Sequence, residues 1–226
     1  MRSSHQDRRM DRALVAGLRE AMRDALAIVS PVECAGCRAP DRELCGRCQR
    51  ALAPEPVLVT TPGGLTVTAG AAYEGVVASV LLALKAGRTP LASALAPLLR
   101  SALAEIDADP RTPLCPVPSS RSAWRRRGFD PVRVVLARAG LEGVRALHPP
   151  AARPQQKTLD RAARSQNMVG AHRARGSFAG RRVLLVDDIV TTGATLDEAA
   201  RAVRAAGAVV PAAVVIAATP LSAGTV

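Results

Sequence analysis

The side chains best placed for chemistry lie between Val183 and Thr195. Asp187 and Asp188 follow the apolar run Val183-Leu184-Leu185-Val186 and precede Ile189-Val190-Thr191-Thr192-Gly193-Ala194-Thr195. Four uncharged apolar residues in a row read as a buried strand of a parallel sheet. Beyond the turn, Leu196, Ala199, Ala200 and Val203 recur at helical spacing, and Ala206-Gly207 reads as the end of that helix. The layout is strand, acid pair, hydroxyl-rich turn, helix. A helix N-terminus presents unpaired N–H groups and a partial positive charge, which together suit an anion. Gly193 lets a bound group approach the backbone, and Thr191, Thr192 and Thr195 add hydroxyl donors. Two aspartates repel a phosphate but accept hydrogen bonds from neutral hydroxyls beside it, as an acidic residue does to a ribose in dinucleotide folds. Donors for a phosphate next to acceptors for hydroxyls describe a pocket for a ribose 5-phosphate.

An ordinary strand–turn–helix with a solvated acid pair, or an acidic metal pocket, would also carry the two carboxylates. Neither accounts for three threonines and a glycine directly behind them. A Walker-type Gly-x-x-x-x-Gly-Lys loop does not occur in the chain. The stretch resembles the 5-phosphoribosyl-1-pyrophosphate (PRPP) motif of type I phosphoribosyltransferases. The resemblance implies that Asp187 and Asp188 hold the ribose 2- and 3-hydroxyls. It implies equally that Thr191, Thr192, Gly193, Ala194 and Thr195 hold the 5-phosphate.

A second constellation lies near the N-terminus. Cys34-Ala35-Gly36-Cys37 and Cys45-Gly46-Arg47-Cys48 are two Cys-x-x-Cys pairs with seven residues between them. That spacing suits one tetrahedral Zn²⁺ on four thiolates. Disulfides or a redox dithiol are the alternatives, and a reducing compartment disfavours the first. Four protein ligands leave no open position, so such a metal would be structural or part of a binding platform. Cys115, the fifth cysteine, reads as core.

Several elements have to position these groups. Leu14, Leu18, Met22, Ala25, Leu26 and Val29 form one stripe, so residues 11–29 read as an amphipathic helix within an N-terminal segment 1–30. The cysteine module takes 31–53. The Pro- and Gly-rich stretch 54–64 reads as a linker, and the main domain spans 65–226. Val67, Ala69, Ala71 and Tyr73 alternate as in an edge strand. Helices are expected from Glu74 to Ala86 and from Leu91 to about Ile106. Leu114-Cys115-Pro116-Val117-Pro118 reads as a strand, held to an edge or to its own end by its prolines. It leads into Ser119-Ser120-Arg121 and the charged run Trp124-Arg125-Arg126-Arg127-Gly128-Phe129. Val132, Val135, Leu136 and Ala139 mark a helix ending at Gly140. Val144 to Leu147 reads as a further strand. Residues 149–180 lack periodicity and read as a disordered stretch or a functional lid. Val209 to Ala217 reads as the last buried strand, with Pro211 placing it at an edge.

Composition narrows the class of partner. At 226 residues with 48% hydrophobic side chains, the chain suffices for one sizeable α/β domain and a small appendage. Net charge is +12, and the segment from Arg111 to Arg182 holds 16 basic against three acidic residues, while the remainder is close to neutral. A concentrated basic face points to a polyanion such as a pyrophosphate or nucleic acid. The alternative is solubility in an arginine-rich protein. No apolar run reaches the ~18–20 residues of a membrane span. The charged N-terminus, with Arg2, Asp7, Arg8, Arg9, Asp11 and Arg12, is unlike a secretory signal. A cytoplasmic location is expected.

Taken together, the cysteine pairs, Leu84-Lys85, Pro116-Val117-Pro118 with Arg121, Arg127-Gly128-Phe129, Gln156 with Leu159, Arg164 and Asn167, and the acid-pair motif resemble, in this order, the ComF family of competence-associated proteins and its GntX branch. The resemblance covers the chain from about residue 30. It implies a type I phosphoribosyltransferase-like parallel sheet flanked by helices, with a zinc-ribbon-like N-terminal module. By the same likeness Ser119, Ser120 and Arg121 form the pyrophosphate loop, Lys85 and Arg127 neutralise it, and Arg127 joins Asp187 and Asp188 in the catalytic set. Residues 153–167, with Gln156, Arg164 and Asn167, form the lid, and Mg²⁺ accompanies PRPP. Asp130, where the family often has Asn, and His172, where an aromatic is usual, depart from the pattern. The function implied is transfer of a phosphoribosyl group to an unidentified acceptor, connected with DNA uptake. The alternative is a non-catalytic PRPP or nucleotide sensor that binds single-stranded DNA through its basic face and zinc module, with other competence proteins as possible partners.

Overall fold

The computed structural model describes residues 32–150 and 170–219. The expected helix over 11–29 and the expected lid residues Gln156, Arg164 and Asn167 lie outside them. The described chain runs α1 (Gly46–Arg50), β1 (Val57–Thr60), β2 (Thr66–Ala69), α2 (Gly75–Lys85), α3 (Ala92–Ala104), β3 (Leu114–Pro116), α4 (Arg121–Arg127), α5 (Pro131–Arg138), β4 (Leu147–His148), β5 (Arg173–Ala174), β6 (Leu184–Val190), α6 (Ala194–Ala205) and β7 (Ala213–Ala218). One 3-10 turn, Thr89–Leu91, joins α2 to α3.

Five strands make one sheet in the order β1-β2-β7-β6-β3. β2, β7, β6 and β3 are parallel, and β1 runs antiparallel at one edge. Parallel neighbours need crossovers, and the helices that supply them cover both faces of the sheet. Strand alternation divides the core. Leu184, Val186, Val214 and Ile216 pack with α2, α3 and α5 residues such as Leu81, Leu95 and Val135. Leu185, Val215 and Val67 pack on the other side with Leu196, Ala199 and Val203 of α6. Burying a leucine or valine in such a layer is worth about 1.5–3 kcal/mol, so the stripes read from the sequence are what hold α2, α3 and α6 to the sheet.

Four expectations change. The stretch 54–64, read as a linker, contains the edge strand β1, paired from Val57↔Ala69 to Thr60↔Thr66, with Pro62-Gly63-Gly64 in its hairpin turn. Consequently β2, read as an edge, is an inner strand, and it stops at Ala69. β7 is also inner. Pro211 precedes its first residue, Ala213, so its missing N–H removes no ladder bond. The arginine run, to which no element was assigned, forms the helix α4, capped by the Ser120 hydroxyl, which accepts from the Ala123 N–H at 3.2 Å. Of the strand expected over 144–147, Leu147 alone falls in β4, which pairs antiparallel with β5 beside the main sheet.

Candidate functional site

β6 places Asp187 and Asp188 at the carboxyl end of an inner strand, where ligands of open α/β sheets gather. Consecutive strand residues face opposite ways. Asp188 lies on the α2 side, where Lys85 Nζ reaches its Oδ2 at 2.9 Å. Asp187 stays near its own backbone, its Oδ1 accepting the Asp188 N–H at 2.8 Å. Burial raises the Asp187 carboxyl well above its ordinary range, and the neighbouring charge of Asp188 raises it further. An acid held in so unfavourable a state is a mark of a functional site.

The turn behind the acids is fixed by Gly193. It caps α6 from the left-handed region at φ 79°. A Cβ there would sit 2.7 Å from Thr61 Cβ in the β1–β2 hairpin. Both features exclude other residues. Thr191 is exposed, Thr192, Ala194 and Thr195 are partly buried, and Gly193 is buried. The first-turn N–H groups of α6 have no intrahelical acceptor and face the end of the sheet. The hairpin is tied to α6 by Asp197, which accepts the Thr61 hydroxyl on Oδ1 and the Gly63 N–H on Oδ2 at 2.9 Å. Thr61 Oγ1 in turn accepts the Leu65 N–H at 3.0 Å. These buttresses were not found from the sequence, although Pro62-Gly63-Gly64 between two β-branched runs is a hairpin signal.

The loop from Pro118 to Arg121 follows β3, which lies beside β6, and the Val117 N–H donates to Val186 O at 2.8 Å. Ser119 therefore stands at the same end of the sheet as the acid pair. Arg127 Nη2 donates to Ser119 Oγ at 3.1 Å, while its buried Nε has no partner among the described residues. Asp130, the departure noted above, has a positional role. Its Oδ2 accepts the Ser119 N–H at 3.2 Å and its Oδ1 accepts the Arg133 N–H at 3.3 Å, capping α5 and anchoring the loop together. Ser120 is committed to capping α4, and Arg121 lines an adjoining cavity whose wall also includes Ser119. Lys85, Ser119, Arg127, Asp187 and Asp188 thus converge, and Thr191–Thr195 closes the same end.

His172, the other departure, is buried at 1% exposure, and neither ring nitrogen has a partner among the described residues. Its backbone N–H donates to Glu198 Oε1 at 3.2 Å, and Arg201 grips Glu198 through two hydrogen bonds of 2.7 and 2.8 Å. Burial lowers the His172 pKa and so keeps the ring neutral. It packs behind α6, away from the acid pair.

The four N-terminal cysteines come together with all Sγ atoms within 4.8 Å of one another. Cys37 and Cys45 Sγ lie 3.6 Å apart, close to the ~3.8 Å edge of a tetrahedron with 2.3 Å Zn–S bonds. The Cys45 N–H points at Cys34 Sγ at 3.3 Å. Burial raises the Cys34 thiol, but N–H groups of Cys45, Cys37 and Gly36 outweigh it and bring the pKa down to about 6. Burial and the neighbouring thiols push Cys48 up to about 12. The cluster could hold a zinc ion. Gly36 is needed here, since a Cβ would meet Cys48 Sγ at 2.7 Å. Arg88, just past α2, ties the module down through Glu43 Oε2 at 2.8 Å and Glu33 O at 2.7 Å.

Residues 140–223 match the family model of the phosphoribosyl transferase domain. The matched segment contains β6, the acid pair, the Thr191–Thr195 turn, α6 and β7. A search of curated proteins found no match to the chain. The chain thus combines a mostly parallel sheet flanked by helices, part of which matches the phosphoribosyl transferase domain model, with a four-cysteine cluster near the N-terminus. No helix among the described residues is long and apolar enough to cross a membrane.

Proposed function

We propose that the chain binds PRPP at the end of β6 and transfers its phosphoribosyl group to an acceptor, releasing pyrophosphate. The observation that carries this reading is the acid pair on β6 standing directly in front of the glycine-capped start of α6. In this reading the 5-phosphate lies on the N–H groups and hydroxyls of Thr191, Thr192, Gly193, Ala194 and Thr195. Asp187 and Asp188 accept the ribose hydroxyls. The pyrophosphate extends toward Ser119, where Arg127 has a buried Nε with no partner among the described residues.

As the C1–O bond of PRPP breaks, positive charge grows on C1 and negative charge on the leaving pyrophosphate. Arg127 and Lys85, close to that group in this pose, stabilise the leaving charge, the kind of electrostatic term that dominates many enzymes. The acid pair suits Mg²⁺ beside a diphosphate, and a bound Mg²⁺ would supply charge neutralisation there. The order of the cysteine pairs, Pro116-Val117-Pro118, Arg127-Gly128-Phe129 and the acid-pair motif supports a ComF-type role connected with DNA uptake. Zn²⁺ on Cys34, Cys37, Cys45 and Cys48 would be structural.

The excess charge between Arg111 and Arg182 favours a second reading, in which PRPP is held without transfer and the basic face binds single-stranded DNA. The assay is pyrophosphate release from PRPP and Mg²⁺ with a panel of bases, alongside calorimetry. Base-dependent release supports transfer. Binding without release on any acceptor favours the sensor, and no binding of PRPP refutes both.

A further inference from the structure

Beside the acid-pair site, and sharing Ser119 with it, α4, α5 and the β4–β5 sheet surround a cavity of about 440 Å³. Arg121 and Arg125 of α4, Arg133 of α5, Arg145 before β4 and Arg175 after β5 all line it, with Trp124 among them. The volume falls in the range of small-ligand sites. Its electrostatics are one-sided. None of these arginines is in an ion pair among the described residues. The one acid in the wall, Asp130, has both carboxylate oxygens engaged by backbone N–H groups. Gathering five guanidinium groups around one concavity raises the energy of the free protein, and an anion within it lowers that energy. Arg175 is held at the cavity wall by its Nε, which donates to Leu147 O at 3.0 Å.

The aromatic wall narrows the ligand. Trp124 is 54% exposed on a short helix that carries four arginines. A large indole held in the open beside arginines is a stacking surface for a planar ring. A bare phosphate or a sugar phosphate would use the arginines but not the indole. A nucleobase alone would use the indole but not the arginines.

We propose that this cavity is a nucleotide subsite, with a base stacked on Trp124 and its phosphate held by Arg145, Arg175 and the α4 arginines. The ligand is a free nucleotide or one unit of a single strand. The subsite borders the sugar-phosphate site at Ser119 but does not depend on that site being as described above.

Trp124 is the one tryptophan of the chain, so intrinsic fluorescence reads this cavity directly. Titrations with AMP, adenosine, ribose 5-phosphate and a ten-residue oligothymidylate test the proposal in the full-length protein. AMP or the oligonucleotide should quench Trp124 at least tenfold more tightly than adenosine or ribose 5-phosphate. Saturation by AMP assigns the site to free nucleotides, and saturation by the oligonucleotide alone assigns it to a strand. Arg145→Ala, an exposed position, should weaken that ligand at least tenfold, and Arg145→Glu should weaken it further, with circular dichroism unchanged and PRPP calorimetry unaffected. Asp187→Asn should leave the quench intact. Equal binding of adenosine or ribose 5-phosphate, indifference to both Arg145 substitutions, or competitive displacement by PRPP would overturn the proposal.

Discussion

Asp187 is the residue at which binding and stability pull apart. Burial and the adjacent Asp188 raise its carboxyl in the folded protein above the value of an unfolded chain. The native state therefore binds more protons than the unfolded state at pH values between the two, and stability falls as pH rises through that window. Asp187→Asn removes the buried charge at nearly the same shape. We expect it to raise the melting temperature at pH 7 by roughly 2–4 °C, what about 1 kcal/mol is worth in a domain of this size. The gain should shrink as the pH is lowered toward 4, and PRPP binding should be lost. A melting temperature that falls, or a gain that grows on acidification, would contradict the assignment. Much of this residue-scale site was legible in the sequence, because acids and threonines at fixed spacing after an apolar run reflect local geometry. The part that was not legible is Asp130. An Asp eleven residues beyond Ser119 gives no sequence sign that it will fold back to hold that loop.

At the scale of elements, the turn that would cradle the phosphate is braced from outside. The β1–β2 hairpin presses Thr61 against Gly193, and Asp197 of α6 returns to the hairpin through two hydrogen bonds. Asp197→Ala should cost about 1–3 kcal/mol in chemical denaturation, the usual penalty for stranding a buried partner, here the Thr61 hydroxyl. It should also weaken PRPP binding without touching the ligand, whereas Asp197→Asn should recover part of both. Unchanged PRPP affinity in the alanine variant would show that the hairpin does not position the turn. This brace escaped the sequence because prolines and glycines on either side of Val57–Thr60 look like a linker until the partner strand, which starts six residues on at Thr66, is considered. The cysteine pairs were read directly, since their spacing alone sets the ligand geometry. The protein should carry one zinc per chain by atomic absorption, and Cys45→Ser should lose it and lower the melting temperature. A fully folded chain with no bound metal would exclude the metal reading.

For the whole molecule, the sheet order sends the ends of β3 and β6 to one edge, so loops separated by some seventy residues meet there. That convergence depends on strand order, which apolar periodicity does not encode. The sequence accordingly supplied β2, β3, β6 and β7 but took β1 for a linker and placed two inner strands at edges. The acid-pair face is balanced by a buried seam behind α6. His172 is neutral in the fold, and its lowered pKa means the unfolded chain takes up a proton first as the pH falls. Its contribution is complete above pH ~6.5 and declines below it. Between pH 7 and pH 5 this contribution lowers the melting temperature, against the opposite contribution of Asp187, so acidification should disfavour His172→Leu less than the unmodified protein. An equal change in both proteins would place the acid sensitivity elsewhere.

The measurement closest to the central claim is a crystal structure of the protein soaked with PRPP and Mg²⁺. The 5-phosphate is expected within hydrogen-bonding distance of the backbone N–H groups of residues 192–195, with the ribose hydroxyls on Asp187 and Asp188. A ligand seated away from the start of α6, or turned so that its diphosphate occupies that turn, would contradict the account.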